Sequence, residues 1–172
     1  MTEDNKQVLV TGCAGFIASK ITEQLISTGQ QVVGLDNMNS AYPVELKRWR
    51  LAKLEKLSGF TFVSADVTDF KELKEIFESY SLTTVINLAA HAGVRPSVEN
   101  PWIYMETNLT GTLNLLELCK TFNVGKFLLA STSSLYGQDP TPFQESQTTD
   151  GPLSPYAASK KSAETLAYTY HY

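Results

Sequence analysis

Five short apolar runs recur along the chain, separated by longer segments in which apolar residues return every three or four positions. The runs are QVLVT (7–11), QVVGLD (31–36), FTFVSAD (60–66), TVINLAA (84–90) and KFLLAST (126–132). Each is rich in Val, Ile, Leu or Phe and predicts a buried parallel strand. The segments between and after them predict helices: GFIASKITEQLIST, PVELKRWRLAKLEKL, DFKELKEIFESY, PWIYMETNLTGTLNLLELCKTF and SPYAASKKSAETLAYTYHY. Strand and helix thus alternate along the whole chain, which predicts an α/β fold: a doubly wound parallel sheet joined by right-handed crossovers, with helices on both faces. The one long irregular piece, YGQDPTPFQESQTTDGPL, carries the prolines and turn formers of a surface loop.

A chain of 172 residues suits one domain, 1–172. Its 14 basic and 18 acidic residues are mixed along the sequence, which leaves no electrostatic footprint for nucleic acid or an anionic membrane. Small molecules and other proteins are the expected partners. Cys13 and Cys119 stand far apart without metal-ligand spacing, and His91 and His171 are too few for a zinc site, so no metal is expected and the thiols suit a reduced compartment. The amino end MTEDNK is polar, unlike a secretory signal, and no apolar run reaches the ~18 residues that span a bilayer, so the protein is expected to be cytoplasmic. Asn108-Leu109-Thr110 matches a glycosylation acceptor, but falls inside a predicted helix.

The first strand runs directly into Gly12 and Gly15, with Ala18 where a third glycine might stand, and then into a helix. Glycine permits the tight turn and the close approach of backbone N–H groups to a pyrophosphate, and a helix amino end favours its negative charge. The second strand ends in Asp36, where a carboxylate can accept hydrogen bonds from an adenosine ribose; a free carboxylate there would repel a 2'-phosphate and favour NAD over NADP. Asp66 closes the third strand, either beside the adenine or as a cap on the helix beginning near Phe70. The small residues of NLAA (87–90) close the fourth, at the strand ends that line the ligand crevice of such sheets.

Ser154-Pro155 is a good helix opening, with a serine able to cap and a proline at the first helical position. Tyr156 follows in the first turn and Lys160 stacks above it on the same face. A free tyrosine titrates near pH ~10, but a neighbouring ammonium and the positive helix end both favour the phenolate that could accept a proton. The fifth strand delivers Ser131, Thr132, Ser133 and Ser134 at its carboxyl end, hydroxyls that could hold a substrate alcohol beside that tyrosine or simply solvate the local backbone.

The set TGCAGFIA, Asp36, NLAA, STSSLYG and YAASK resembles the extended short-chain dehydrogenase/reductase superfamily, and within it the NAD-dependent sugar-nucleotide epimerases and dehydratases. The resemblance covers essentially the whole chain and implies a Rossmann-type sheet. It implies Thr132, Tyr156 and Lys160 as catalytic hydroxyl, base and activating ammonium, with Tyr156 and Lys160 also reaching the cofactor. It further implies NAD contacts from Gly12, Gly15, Phe16, Ile17, Asp36, Asn37, Asp66, Val67, Leu88, Ala89, Ala90 and Asn108, and substrate contacts from Thr132 and Tyr156. Arg95 is either a partner for an anionic substrate or a solvated loop residue. Dehydratase relatives carry Asp-Glu directly after the catalytic threonine, whereas this chain has Ser133 and Ser134, which favours epimerisation. The segments LDNMNSAYPVELKRWRLAKL and AAHAGVRPSVENP most resemble UDP-glucuronate 4-epimerases, with UDP-glucose 4-epimerases next. In the implied reaction the tyrosine takes the proton of the sugar 4-hydroxyl, NAD accepts hydride from C4, and the 4-keto sugar turns and is reduced on its other face.

Two departures from the family pattern stand out. Cys13 and Ala18 replace glycines, but both are small, and cofactor binding is expected to survive. Family members also run to about twice this length, so the chain is expected to be an amino-terminal NAD-binding domain that lacks the last strands and a carboxyl-terminal substrate domain. The whole enzyme is expected to be a homodimer. A non-catalytic NAD-binding module and an NAD-linked reductase are the competing readings; the first would have no need to keep Thr132, Tyr156 and Lys160 together.

Overall fold

Alternation inside the first strand sets the architecture: Val8 and Val10 point to one face of the sheet and Leu9 to the other, and all three are buried. The computed structural model describes residues 6–171; most of the polar amino end, 1–5, and the last residue of the predicted tyrosine helix lie outside the described residues. In chain order the elements are β1 (Gln7–Thr11), α1 (Phe16–Ser27), β2 (Gln31–Asp36), α2 (Val44–Leu54), β3 (Phe60–Ser64), α3 (Phe70–Ser79), β4 (Leu82–Asn87), α4 (Val94–Glu99) and α5 (Pro101–Tyr104). A π-helical segment (Met105–Thr110) continues into α6 (Gly111–Thr121), followed by β5 (Lys126–Leu129), a 3-10 turn (Ser133–Tyr136) and α7 (Pro155–His171).

All strand pairs are parallel and the sheet order is β3-β2-β1-β4-β5. The fold is therefore the expected Rossmann-type doubly wound sheet. Val8, Val10, Val32 and Ala18 of α1 form the core on one face. On the other, Leu9, Val33, Leu35 and Val85 pack against Leu73, Ile76 and Phe77 of α3 and Leu115 and Leu118 of α6. The chain reverses direction across the sheet at β1 and β4, which opens a crevice at their carboxyl ends.

Three expectations change. The outer strands β3 and β5 are only partly buried, and Leu128 of β5 is 50 % exposed, because an edge strand lacks a neighbour on one side. The single helix expected over 101–122 is instead α5, the π-helical segment and α6 in succession. The start of the AAHAGVRPSVENP stretch stays irregular, but α4 forms within it, so Arg95 sits on a short helix rather than in a loop. Among the described residues no helix is long and apolar enough to cross a membrane.

Candidate active site

The turn after β1 leaves no room for side chains. Gly12 has φ +69°, and a Cβ there would stand 3.0 Å from the Ala89 backbone; at Gly15 it would stand 2.8 Å from the Gly12 carbonyl oxygen. Gly15 N donates to that same carbonyl at 2.7 Å, closing the turn. Gly15 caps α1 with no side-chain hydrogen bond, so the first N–H groups of the helix, those of Phe16 and Ile17, remain open for an anion. Phe16 and Ile17 are 74 % and 61 % exposed, and neither is among the residues that line the adjoining cleft. Cys13 and Ala18 are buried beneath the turn. Burial, with the Asp36 charge nearby, pushes the Cys13 thiol far up, and burial pushes Cys119 up to about 12, so both are held as thiols.

Gly12, Gly15, Asp36, Asn37, Val67, Leu88, Ala89 and Ala90 line one cleft, bringing together most of the residues expected to hold the dinucleotide. A cradle that a Cβ would fill, an uncapped helix end and a carboxylate at the tip of β2 fit such a ligand. Asp66 borders the adjoining cavity with Asn37 and His91. Its Oδ1 accepts Thr68 N (2.9 Å) and Thr68 Oγ1 (2.8 Å), and its Oδ2 accepts Asn37 Nδ2 (2.6 Å). Burial raises the Asp66 carboxyl, but these hydrogen bonds outweigh it and hold the group below its ordinary value. Asp66 does not cap α3; Asp69 does, accepting Lys71 N and Glu72 N at 3.0 Å each.

The Asp36 carboxylate is not free. Oδ1 accepts Lys47 Nζ at 3.1 Å and Met38 N at 2.8 Å, while Oδ2 accepts Ala14 N at 3.2 Å. Lys47 also donates to Asn39 Oδ1 at 3.1 Å. Sequence reasoning missed Lys47, because nothing in the spacing of α2 marks one cation among several as buried. It also missed a second tie across the cleft, in which Arg50 Nη1 donates to Ala14 O (3.3 Å) and to Tyr42 OH (3.1 Å). The segment after β2 is thus fastened onto the glycine turn.

Tyr156 and Lys160 are not among the residues that line the cleft; α7, which carries them, begins as expected, with Ser154 Oγ accepting Ala157 N at 3.2 Å and Pro155 next. Tyr156 is half-buried and meets the ring of Tyr104 edge-on, with centroids 6.1 Å apart. Tyr104 in turn donates to Ala92 O, a residue of the cleft wall, at 3.1 Å. Lys160 is buried, and no hydrogen bond or ion pair to Nζ is made among the described residues. Burial lowers its ammonium below the ordinary value, with Glu164 one turn on pulling it back up. Thr132 caps the 3-10 turn, its Oγ1 accepting Ser134 N at 3.2 Å, and lines a separate cavity of about 520 Å³ with Ser131, Ser133 and Glu164. No hydrogen bond joins Thr132 to Tyr156 among the described residues. Arg95 is exposed on α4. Asn108 is only 1 % exposed, which puts the glycosylation sequence out of reach, and its side chain is bonded to His91 and Ser159 instead of lining the cleft.

The model of the family described as GDP-mannose 4,6 dehydratase matches residues 9–172. A UDP-glucuronate 4-epimerase of Thermodesulfobacterium geofontis is 57 % identical over 95 % of this chain and 51 % of its own length. The crystal structure of UDP-glucuronic acid 4-epimerase from Bacillus cereus with UDP-glucuronic acid and NAD superposes with a TM-score of 0.88 at 36 % identity, over 96 % of this chain and 52 % of that one. The Thermus thermophilus UDP-glucose 4-epimerase complex with NAD gives 0.81 at 38 % identity, over 95 % and 50 %. The chain spans about half the length of these proteins.

Proposed function

From the premise that the chain belongs to the extended short-chain dehydrogenase/reductase superfamily, in the family of the GDP-mannose 4,6 dehydratase model, we propose that it is the amino-terminal, NAD-binding half of a UDP-sugar 4-epimerase acting on UDP-glucuronate. The observation that carries the reading is the glycine cleft at the carboxyl ends of β1 and β4, whose wall at Ala92 is joined to Tyr156 of α7 through the ring and hydroxyl of Tyr104. The relatives support it, since the Bacillus cereus enzyme holds UDP-glucuronic acid and NAD on the same fold.

NAD, when bound, would supply a reversible acceptor for the hydride leaving the sugar C4. The chain supplies binding, orientation and proton handling. The open N–H groups of Phe16 and Ile17 face the pyrophosphate, Asp36 takes the adenosine ribose, and Asp66 and Val67 flank the adenine. Because Lys47 offsets the Asp36 charge, discrimination against a 2'-phosphate rests on filled space and occupied hydrogen bonds as much as on repulsion. Lys160, buried with its donors unspent, reaches the nicotinamide ribose and holds a positive charge beside Tyr156. Tyr156 removes the proton from the 4-hydroxyl and later returns it, and Thr132 orients that hydroxyl. Arg95, exposed and without a partner among the described residues, is available to an anionic group of the substrate.

Ser133 and Ser134, where dehydratases carry Asp-Glu, support epimerisation over loss of water. We assign a homodimer to the whole enzyme; Val98 of α4 and Trp102 of α5, 65 % and 80 % exposed, are apolar surface that such a contact would cover. Incubating the protein at its full natural length with UDP-glucuronate and, separately, UDP-glucose tests the reading: faster 4-epimerisation of UDP-glucuronate is expected. Faster conversion of UDP-glucose transfers the assignment to that sugar, and net NADH accumulation with either makes it a reductase.

A further inference from the structure

A buried file of hydrogen bonds connects the glycine turn to the tyrosine helix. It begins at Thr11, the residue before Gly12, whose Oγ1 accepts Leu88 N (3.1 Å) and Ala89 N (3.0 Å) and donates to Asn87 Oδ1 (2.7 Å). Asn87 Nδ2 donates to Thr112 Oγ1 at 3.0 Å, and that hydroxyl donates to the Asn108 carbonyl at 2.7 Å. The Asn108 side chain then ties two segments: Oδ1 accepts His91 N (2.9 Å), and Nδ2 donates to His91 O (3.0 Å) and to Ser159 Oγ (3.0 Å). Ser159 Oγ completes the file by donating to the Tyr156 carbonyl at 2.8 Å.

Thr11, Asn87, Asn108, Thr112 and Ser159 are each no more than 3 % exposed. Polar side chains buried that deeply fix geometry when their hydrogen bonds are made, because no water can stand in for a lost partner. Ser159 occupies the decisive link. It adjoins Lys160, and the carbonyl it bonds is the one that, in an α-helix, also receives the Lys160 N–H. The π-helical segment carries Asn108 to the facing position, a wider turn of the kind found where a helix serves a site.

We propose that Ser159 is a positioning residue for the epimerase reaction: through Asn108 and His91 it fixes the Tyr156–Lys160 turn relative to the wall of the cofactor cleft. The inference rests on the epimerase reading. Ser159→Ala removes the hydroxyl with little change in volume, and a misplaced base slows the chemical step without weakening substrate binding.

In the protein at its full natural length, Ser159→Ala is expected to lower kcat for UDP-glucuronate about ten-fold with KM within about two-fold. Asn108→Ala combined with Ser159→Ala is expected to be no slower than Asn108→Ala alone, since each breaks the Asn108 Nδ2–Ser159 Oγ bond that carries the link. An unchanged kcat, a rise in KM alone, or multiplying effects in the double variant would overturn the proposal. Should Ser159→Ala not fold, Ser159→Cys is judged by the same criteria. If the unmutated protein converts no UDP-sugar, the epimerase reading fails by itself and Ser159 is judged by NADH fluorescence titration. A loss of NADH affinity of about three-fold or more then supports the link to Lys160, and equal affinity overturns it.

Discussion

Lys47 Nζ lies 3.1 Å from Asp36 Oδ1, and the two side chains are 6 % and 4 % exposed, so the carboxylate that ends β2 carries its own counter-ion. Removing one partner of a buried pair leaves the other charge uncompensated and costs about 3 kcal/mol or more. Lys47→Met is therefore expected to lower the free energy of urea unfolding by about that amount and to weaken NAD binding. Replacing both residues, Asp36→Leu with Lys47→Met, is expected to recover only part of that stability, because Ala14 N and Met38 N lose their acceptor, and to abolish NAD binding.

Gly12 and Gly29 both have positive φ, +69° and +86°, but only Gly12 faces backbone atoms at 3.0 Å, those of Ala89. Gly29→Ala is expected to cost about 1 kcal/mol of backbone strain and leave cofactor affinity intact. Gly12→Ala adds a clash that neither backbone can relieve cheaply. Calorimetric titration is expected to show NAD affinity falling at least ten-fold for this variant alone.

Burial lowers the Lys160 ammonium below its ordinary value of 10.5, so the unfolded chain holds this proton more tightly than the folded one. Stability then rises with pH between the folded value and 10.5, and the burden is fully present below the folded value. Lys160→Met is expected to raise the melting temperature near pH 7 and to lose that advantage as pH approaches the ordinary lysine value. It is also expected to abolish turnover. A melting temperature lower than that of the parent near neutral pH would contradict this account of Lys160.

Much of the frame was legible in the sequence: the apolar runs of β1 and β2 match their strands at both ends. By contrast β4, equally inside the sheet, spans Leu82–Asn87 rather than the 84–90 of its run, because the small residues after Asn87 leave the sheet to line the cleft. The last strand ended earlier than its run, at Leu129, since the hydroxyls that follow leave the sheet to form a turn capped by Thr132. The glycine turn and the Ser154 cap could be read because each depends on neighbours in sequence. Lys47 could not, because its burial depends on how α2 meets the tip of β2. Asp66 and Asp69 both stand near the start of α3, and only the backbone path decides that Asp69 caps it. The widened turn at Met105–Thr110 was equally hidden, since its apolar spacing continues that of a plain helix; Gly111 beyond it packs where a Cβ would meet Val67 at 2.7 Å.

The most direct measurement follows UDP-glucuronate deuterated at C4 through the protein at its full natural length, in ordinary water. The account predicts the 4-epimer with deuterium still on C4, no net NADH, and loss of conversion in Tyr156→Phe. A 4-epimer whose deuterium has exchanged with solvent, or conversion undiminished by Tyr156→Phe, would contradict it.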